Sequence, residues 1–196
     1  MKYTITMYSD YLWPYCYIGN GIIDKLRQDY DIEVIHKGFE IHPDVPEEGM
    51  LLKDYFPNAG QMFSQLKMFA GRYGLDVSEV SMMPNTNKML QLGEYAKDIG
   101  KSEVFEKIVF RAVFVEDRNI STMDEIISLC EKAGIAEEEV KSVLSSDKYR
   151  MKLEDNKKFC RENNITSVPT FIINDQVAIV GAQGPESFKK AFSQIG

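Results

Sequence analysis

The sequence predicts an α/β chain whose two ends combine into one four-stranded mixed sheet, with a large helical insertion between them. Three observations carry this prediction. Residues 2–50 read strand–helix–strand, residues 165–196 read strand–strand–helix, and the stretch between is helical in pattern almost throughout. Neither end holds enough core to stand alone, whereas joined they make a sheet with helices on it. The expected division is a discontinuous sheet domain, 1–50 with 165–196, and an insertion, 51–164, whose last helix packs back on the sheet.

A β-branched run makes residues 2–9 the first strand. Pro14 suits the first turn of the next helix, which needs no N–H there, and apolar periodicity carries that helix to about Asp29. Gly19, Asn20 and Gly21 interrupt it early. Residues 31–39 form the second strand, and the right-handed crossover between them implies a parallel pair. A turn-rich stretch, Glu40 to Gly49, leads to candidate helices at 59–74, 87–100, 101–116, 122–133, 136–145 and 147–163. Asn85-Thr86 and Ser121-Thr122 are candidate N-caps, Ser121 with Asp124 resembles a capping box, and Gly74, Gly100 and Gly134 are candidate stops. Thr170–Ile173 and Val177–Val180, joined at Asn174-Asp175, read as an antiparallel hairpin, and a last helix runs from Glu186 to about Gln194.

Composition narrows the function classes. The 196 residues carry a formal charge of −7 with no basic run, which argues against a nucleic-acid partner. Apolar runs fall short of the roughly 20 residues that span a bilayer, so no membrane partner is expected. The first ten residues alternate like a strand and lack an apolar signal core, so the expected location is the cytoplasm. Three widely spaced cysteines, Cys16, Cys130 and Cys160, make neither a disulfide framework nor a zinc spacing, and Cys130 and Cys160 read as buried thiols. The two histidines lack companion ligands, so no metal is expected.

The candidate site is the stretch 8–19. Cys16 falls in the first turn of the helix, where free N–H groups favour a thiolate. Tyr11, Trp13, Tyr15 and Tyr17 crowd around it, either as packing or as an apolar platform, and Met62, Met68, Met82, Met83 and Met89 either fill helical core or line an adaptable groove. Asp10 is a candidate base or turn residue, His42 a candidate hydrogen-bonding neighbour, and His36 structural. Val168-Pro169 enters the third strand opposite Cys16. A bend there would offer the Val168 backbone to an extended peptide or a glutathione-like ligand.

The residues then match a known group. Ser9-Asp10, Trp13-Pro14-Tyr15-Cys16-Tyr17-Ile18-Gly19, Phe39-Glu40-Ile41-His42-Pro43-Asp44, Pro46-Glu47-Glu48-Gly49-Met50, Asn85-Thr86, Ser167-Val168-Pro169-Thr170-Phe171, Gly181-Ala182-Gln183 and Pro185-Glu186 follow one another in its order. The chain resembles the DsbA-like thioredoxin superfamily, most closely its FrnE-like branch, related to 2-hydroxychromene-2-carboxylate isomerase and kappa-class glutathione transferase. The resemblance implies a thioredoxin fold with a helical insertion, a cis proline at Pro169 and, in redox members, a Cys-Pro-x-Cys site. On that pattern Cys16 holds the second, resolving position and Trp13 stands where the nucleophile would be. In the isomerase and transferase branches a serine would occupy the Trp13 position.

Three activities follow as expectations: a thiol–disulfide oxidoreductase, working through Cys16 alone with glutathione as co-substrate; a redox-silent ligand or peptide binder; and a glutathione-dependent isomerase or transferase. No bound cofactor is expected. Cys16 is the expected catalytic residue, Trp13, Pro14, Tyr15, Val168 and Pro169 the substrate-binding residues, and Asp10 and His42 auxiliaries. The expected partner is a small thiol, a peptide or another small molecule; the sequence leaves the oligomeric state open.

Overall fold

In the computed structural model, which describes residues 2–195, strand β1 (Lys2–Ser9) leads into helix α1 (Pro14–Leu26) and strand β2 (Asp31–Gly38). The insertion follows as β3 (Met50–Leu51), α2 (Leu52–Tyr55), α3 (Ala59–Gly71), β4 (Met82–Met83), α4 (Asn87–Asp98), α5 (Ser102–Phe114), α6 (Met123–Lys132), α7 (Glu137–Ser145) and α8 (Asp147–Glu162). The chain closes with β5 (Thr170–Ile173), β6 (Val177–Val180) and α9 (Pro185–Ile195). The four long strands lie in the order β2-β1-β5-β6, with β1 parallel to β2 and the other neighbours antiparallel. The two chain ends therefore build one mixed sheet.

Register sets the site. Tyr8 pairs with Thr170, so the loop leaving β1 and Pro169, one residue before β5, reach the same end of the sheet. The Val168–Pro169 peptide is cis. The two faces of β1 bury different helices: Met7 faces α1, while Tyr8 stacks on Phe159 of α8 with ring centroids 5.7 Å apart. Helix α1 lies close because position 19 is glycine. A Cβ there would come within 2.9 Å of Phe171 Cζ and 3.0 Å of Met7 Cε.

The helical block is tied to β2. Glu94 Oε1 of α4 accepts the Gly38 N–H at 3.0 Å and an Asn156 amide hydrogen of α8 at 2.8 Å, and Asn156 also donates to the Gly38 carbonyl at 3.1 Å. Buried side chains of the sheet and of the insertion form one continuous core.

The structure corrects several expected boundaries and caps. Helix α1 stops at Leu26 rather than near Asp29, because the N–H groups of Asp29 and Tyr30 both turn back to the Leu26 carbonyl. The insertion opens with a short ladder, Met50 and Leu51 against Met83 and Met82, too brief to leave a period-2 signal. The Ser121–Asp124 capping box does not form. Thr122 is the N-cap without a side-chain bond, and the Ser121 hydroxyl accepts the Asn85 N–H at 2.7 Å instead. Gly74, Gly100 and Gly134 do sit at positive φ just past α3, α4 and α6, as stops require.

Candidate functional site

The site loop is a tight turn. Trp13 N–H donates to the Asp10 carbonyl at 3.1 Å, and Cys16 N–H to the Trp13 carbonyl at 2.9 Å, which starts α1 immediately behind Trp13. Asp10 holds this turn to two other segments. Its carboxylate accepts the Leu12 N–H at 3.4 Å, the Ile41 N–H at 2.8 Å and the Thr86 hydroxyl at 2.6 Å. One fully buried side chain thus joins the site loop, the segment after β2 and the start of α4. Burial raises its carboxyl to about 6, and the three donors work against that rise. Asp10 is a turn residue and a three-way tie, with both of its carboxyl oxygens engaged.

Cys16 lies where the sequence places it, in the first turn of α1, but its exposure is 0%. Burial pushes its thiol well above the ordinary cysteine range. A hydrogen bond with the Asp10 backbone opposes this, and the nearby Asp10 and Glu106 carboxyls reinforce it. The expected preference for a thiolate at the helix N-terminus is therefore outweighed by desolvation. Cys130 and Cys160 are also free and buried, and burial holds each thiol up to about 12.

The aromatic residues divide. Tyr11 is core at 2% exposure, and Tyr17 stacks on Phe110 and Phe114 with centroids 6.0 and 5.7 Å away. Trp13 and Tyr15 stay at the surface with their rings 6.1 Å apart, and His42 joins them, 6.2 Å from the indole. His42 Nδ1 is 2.9 Å from the Tyr55 hydroxyl, which also lies 3.0 Å from Asp44 Oδ2. Trp13 and Pro14, with Leu12, then form one wall of an apolar cleft completed by Leu52, Phe56, Met62, Met82, Met83 and Phe114. The cleft is closed down to about 20 Å³. Of the five candidate methionines, Met62, Met82 and Met83 line it, Met89 is core and Met68 is 71% exposed.

Val168 and Pro169 face the same end of the sheet but are buried, Val168 at 3% exposure. The Pro169 carbonyl accepts the Gly181 N–H at 2.7 Å, while among the described residues Val168 makes no backbone–backbone hydrogen bond. Register brings the loop that carries Asp10, Trp13, Pro14, Tyr15 and Cys16 to the same end of the sheet as Val168 and Pro169, and His42 sits against Trp13. Of these, Trp13, Tyr15 and His42 are the reachable members. Among the described residues, no cluster of histidine, cysteine or carboxylate side chains has the makings of a metal site, and no helix is long and apolar enough to cross a membrane.

Two contributors escaped the sequence reading. Thr86 reads in the sequence only as a cap, yet its hydroxyl donates to Asp10. Glu106 accepts the Tyr11 hydroxyl from the interior at 2.7 Å. Its place in the stripe with Val109, Phe110 and Val113 is the signal that could have found it, because an acid three, four and seven residues from apolar neighbours faces inward.

Comparison with known proteins agrees with this fold. The DSBA-like thioredoxin domain model matches residues 4–193. Protein YwbO of Bacillus subtilis (strain 168) is 32% identical over 197 residues, covering 98% of this chain and 97% of YwbO. The crystal structure of the probable DsbA oxidoreductase SCO1869 from Streptomyces coelicolor superposes with a TM-score of 0.89 at 22% identity, covering 98% of this chain and 89% of that one. A 2-hydroxychromene-2-carboxylate isomerase superposes with a TM-score of 0.81 at 19% identity, covering 98% and 95%. At such identities these two structures speak to the fold alone.

Proposed function

The chain belongs to the DSBA-like thioredoxin domain family, and from that premise we propose that it is a redox-silent member that binds rather than oxidises. Its ligand is a peptide or small molecule that lays an apolar group against Trp13, Tyr15 and His42, over the mouth of the closed cleft beside Trp13. The observation that carries this reading is the state of the site sulfur. Trp13 occupies the position before Pro14 at which an exchanging thiol would sit, and the one thiol present, Cys16, has no exposed surface. Disulfide exchange needs an accessible thiolate and a second thiol to release the mixed disulfide. An indole supplies neither. It does supply a flat apolar face with one N–H donor, which suits a binding platform. Three free, buried thiols fit a reducing compartment, and we place the protein in the cytoplasm on that basis.

A second reading is favoured by the placement of Cys16 in the first turn of α1 with the Asp10 backbone bonded to it. It is a single-thiol oxidoreductase in which Cys16 attacks a disulfide and glutathione resolves the product. A glutathione-dependent isomerase is a third, supported only by likeness of fold. One experiment separates the first two. The folded protein is exposed to oxidised glutathione and to a thiol-labelling reagent at neutral pH, and Cys16 is followed by mass spectrometry. We expect labelling only after unfolding, ligand binding unchanged in Cys16→Ser, and binding weakened at least tenfold in Trp13→Ala. A glutathionylated Cys16 in the folded protein, with turnover lost in Cys16→Ser, overturns the binding reading in favour of the second. Trp13→Cys would restore the missing position and is expected to create disulfide-exchange activity.

A further inference from the structure

The interruption of α1 at Gly19-Asn20-Gly21 is explained by packing at two of its three positions. Gly19 lets the helix rest on Phe171 and Met7, and Gly21 lets Leu75 close on it, since a Cβ there would come within 2.7 Å of Leu75 Cδ1. Asn20 is left over. Asparagine is a weak helix former, because its amide competes for backbone groups. It nevertheless stands in the interior of α1, and among the described residues its side chain makes no hydrogen bond.

Asn20 lines a groove of about 200 Å³ between α1 and α5. Tyr17, Gly21 and Asp24 flank it on the same face of α1, and Lys107, Phe110 and Arg111 stand across from it on α5. Tyr17 and Phe110, stacked 25° from parallel, join Leu75 in an apolar lining. The charges over that lining are one acid and two bases. Asp24 Oδ2 lies 3.9 Å from Lys107 Nζ, which also reaches Glu103 at 3.0 Å. Arg111 commits Nε to Glu116 at 3.0 Å, and among the described residues its two terminal nitrogens donate no hydrogen bond. Exposed pairs of this kind hold little, so all three charges can turn toward a ligand at small cost.

We propose that this groove binds a free aromatic α-amino acid of the size of phenylalanine or tyrosine. Its ring lies against Tyr17, Phe110 and Leu75, its ammonium group meets Asp24 and the Asn20 amide oxygen, and its carboxylate meets Lys107 and the terminal nitrogens of Arg111. The size fits, because an apolar cavity of about 150 Å³ holds one benzene ring. The charges fit as well. A lone anion would face Asp24 and a lone cation would face Lys107 and Arg111, whereas a zwitterion answers both signs at once. The groove shares no lining residue with the cleft beside Trp13, so its ligand is independent of what the Trp13 platform binds.

The test titrates the nitrogen-15-labelled full chain with L-phenylalanine and, in parallel, with 3-phenylpropanoate, phenethylamine and L-alanine, which lack the ammonium, the carboxylate and the ring in turn. L-Phenylalanine is expected to bind saturably with a Kd of about 0.1–1 mM, the range open to a ligand of this size, and to shift the Asn20 and Gly21 amides. Each analogue is expected to bind at least about tenfold more weakly, as are Asp24→Asn and Arg111→Gln toward L-phenylalanine itself. Asn20→Ala is expected to weaken binding while raising Tm by about 1–2 °C, because alanine is the better helix former. No saturable shift up to about 10 mM overturns the proposal, as do shifts centred on Trp13 or a singly charged analogue that binds as tightly. A Tm that falls in Asn20→Ala gives Asn20 a structural role and overturns it too. Should a variant fail to fold, the ligand series on the wild type decides alone.

Discussion

Asp10 and Glu106 are both carboxyls sealed under the site loop, at 0% and 4% exposure, yet the fold treats them differently. Asp10 receives three donors and rises only to about 6; Glu106 receives one and rises to about 8. Burial is the leading cause in both. The number of donors aimed at the anion separates them, because each hydrogen bond to a carboxylate recovers part of its lost hydration. At neutral pH Asp10 is therefore an anion that gathers three segments, and Glu106 an acid that keeps its proton.

The contrast can be broken most severely at Asp10. Asp10→Ala leaves the Ile41 N–H and the Thr86 hydroxyl buried without an acceptor, and is expected to cost about 3 to 4 kcal/mol in urea unfolding at pH 7. A loss no larger than that of a single hydrogen bond would show that the three donors do not act together. Next comes pH. Glu106 has a raised pKa in the folded state, so its contribution is complete below its unfolded value and disappears as pH climbs through about 8. Asp10 acts in the same sense, but only up to about 6. His36, whose pKa is lowered to about 3, acts in the opposite sense and only below its unfolded value of 6.5. Between pH 6.5 and 8 Glu106 is the one of the three still titrating, and stability is expected to fall there by up to about 2 kcal/mol. Glu106→Gln should flatten that decline.

Two finer substitutions sharpen the comparison. Thr86→Val removes the shortest donor to Asp10, with an expected loss of about 1 kcal/mol. The Asp10 titration, followed by carboxyl NMR, should then move above 6. Tyr11→Phe removes the one donor to Glu106 and should cost about 1 kcal/mol or less, moving its midpoint above 8. A midpoint moving down in either variant would mean that the hydroxyl is not donating to the carboxylate.

The sheet was legible because its signals are local. The β-branched run 2–9, Pro14 at a helix start and the hairpin around Asn174-Asp175, whose residues adopt φ of 47° and 56°, each declare themselves within a few positions. The site was legible in outline for the same reason, since Trp13, Cys16 and Pro169 lie in short quotable stretches. What escaped is long-range. Whether Cys16 is exposed depends on how residues far along the chain close over it. Asp10 gains its partners from positions 41 and 86, and Glu106 meets Tyr11 across 95 residues. The β3–β4 ladder pairs two residues with two, too few for a period to emerge.

The absent side chain at position 19 has a consequence for design. A methyl group there would lie 2.9 Å from Phe171, two residues beyond Pro169, on the helix that carries Trp13 at its head. Gly19→Ala would act as a shim, driven between α1 and the sheet from the rear. Phe171 or Met7 would have to give way, so the strain would fall on the packing behind the site while every residue at the mouth stayed unchanged.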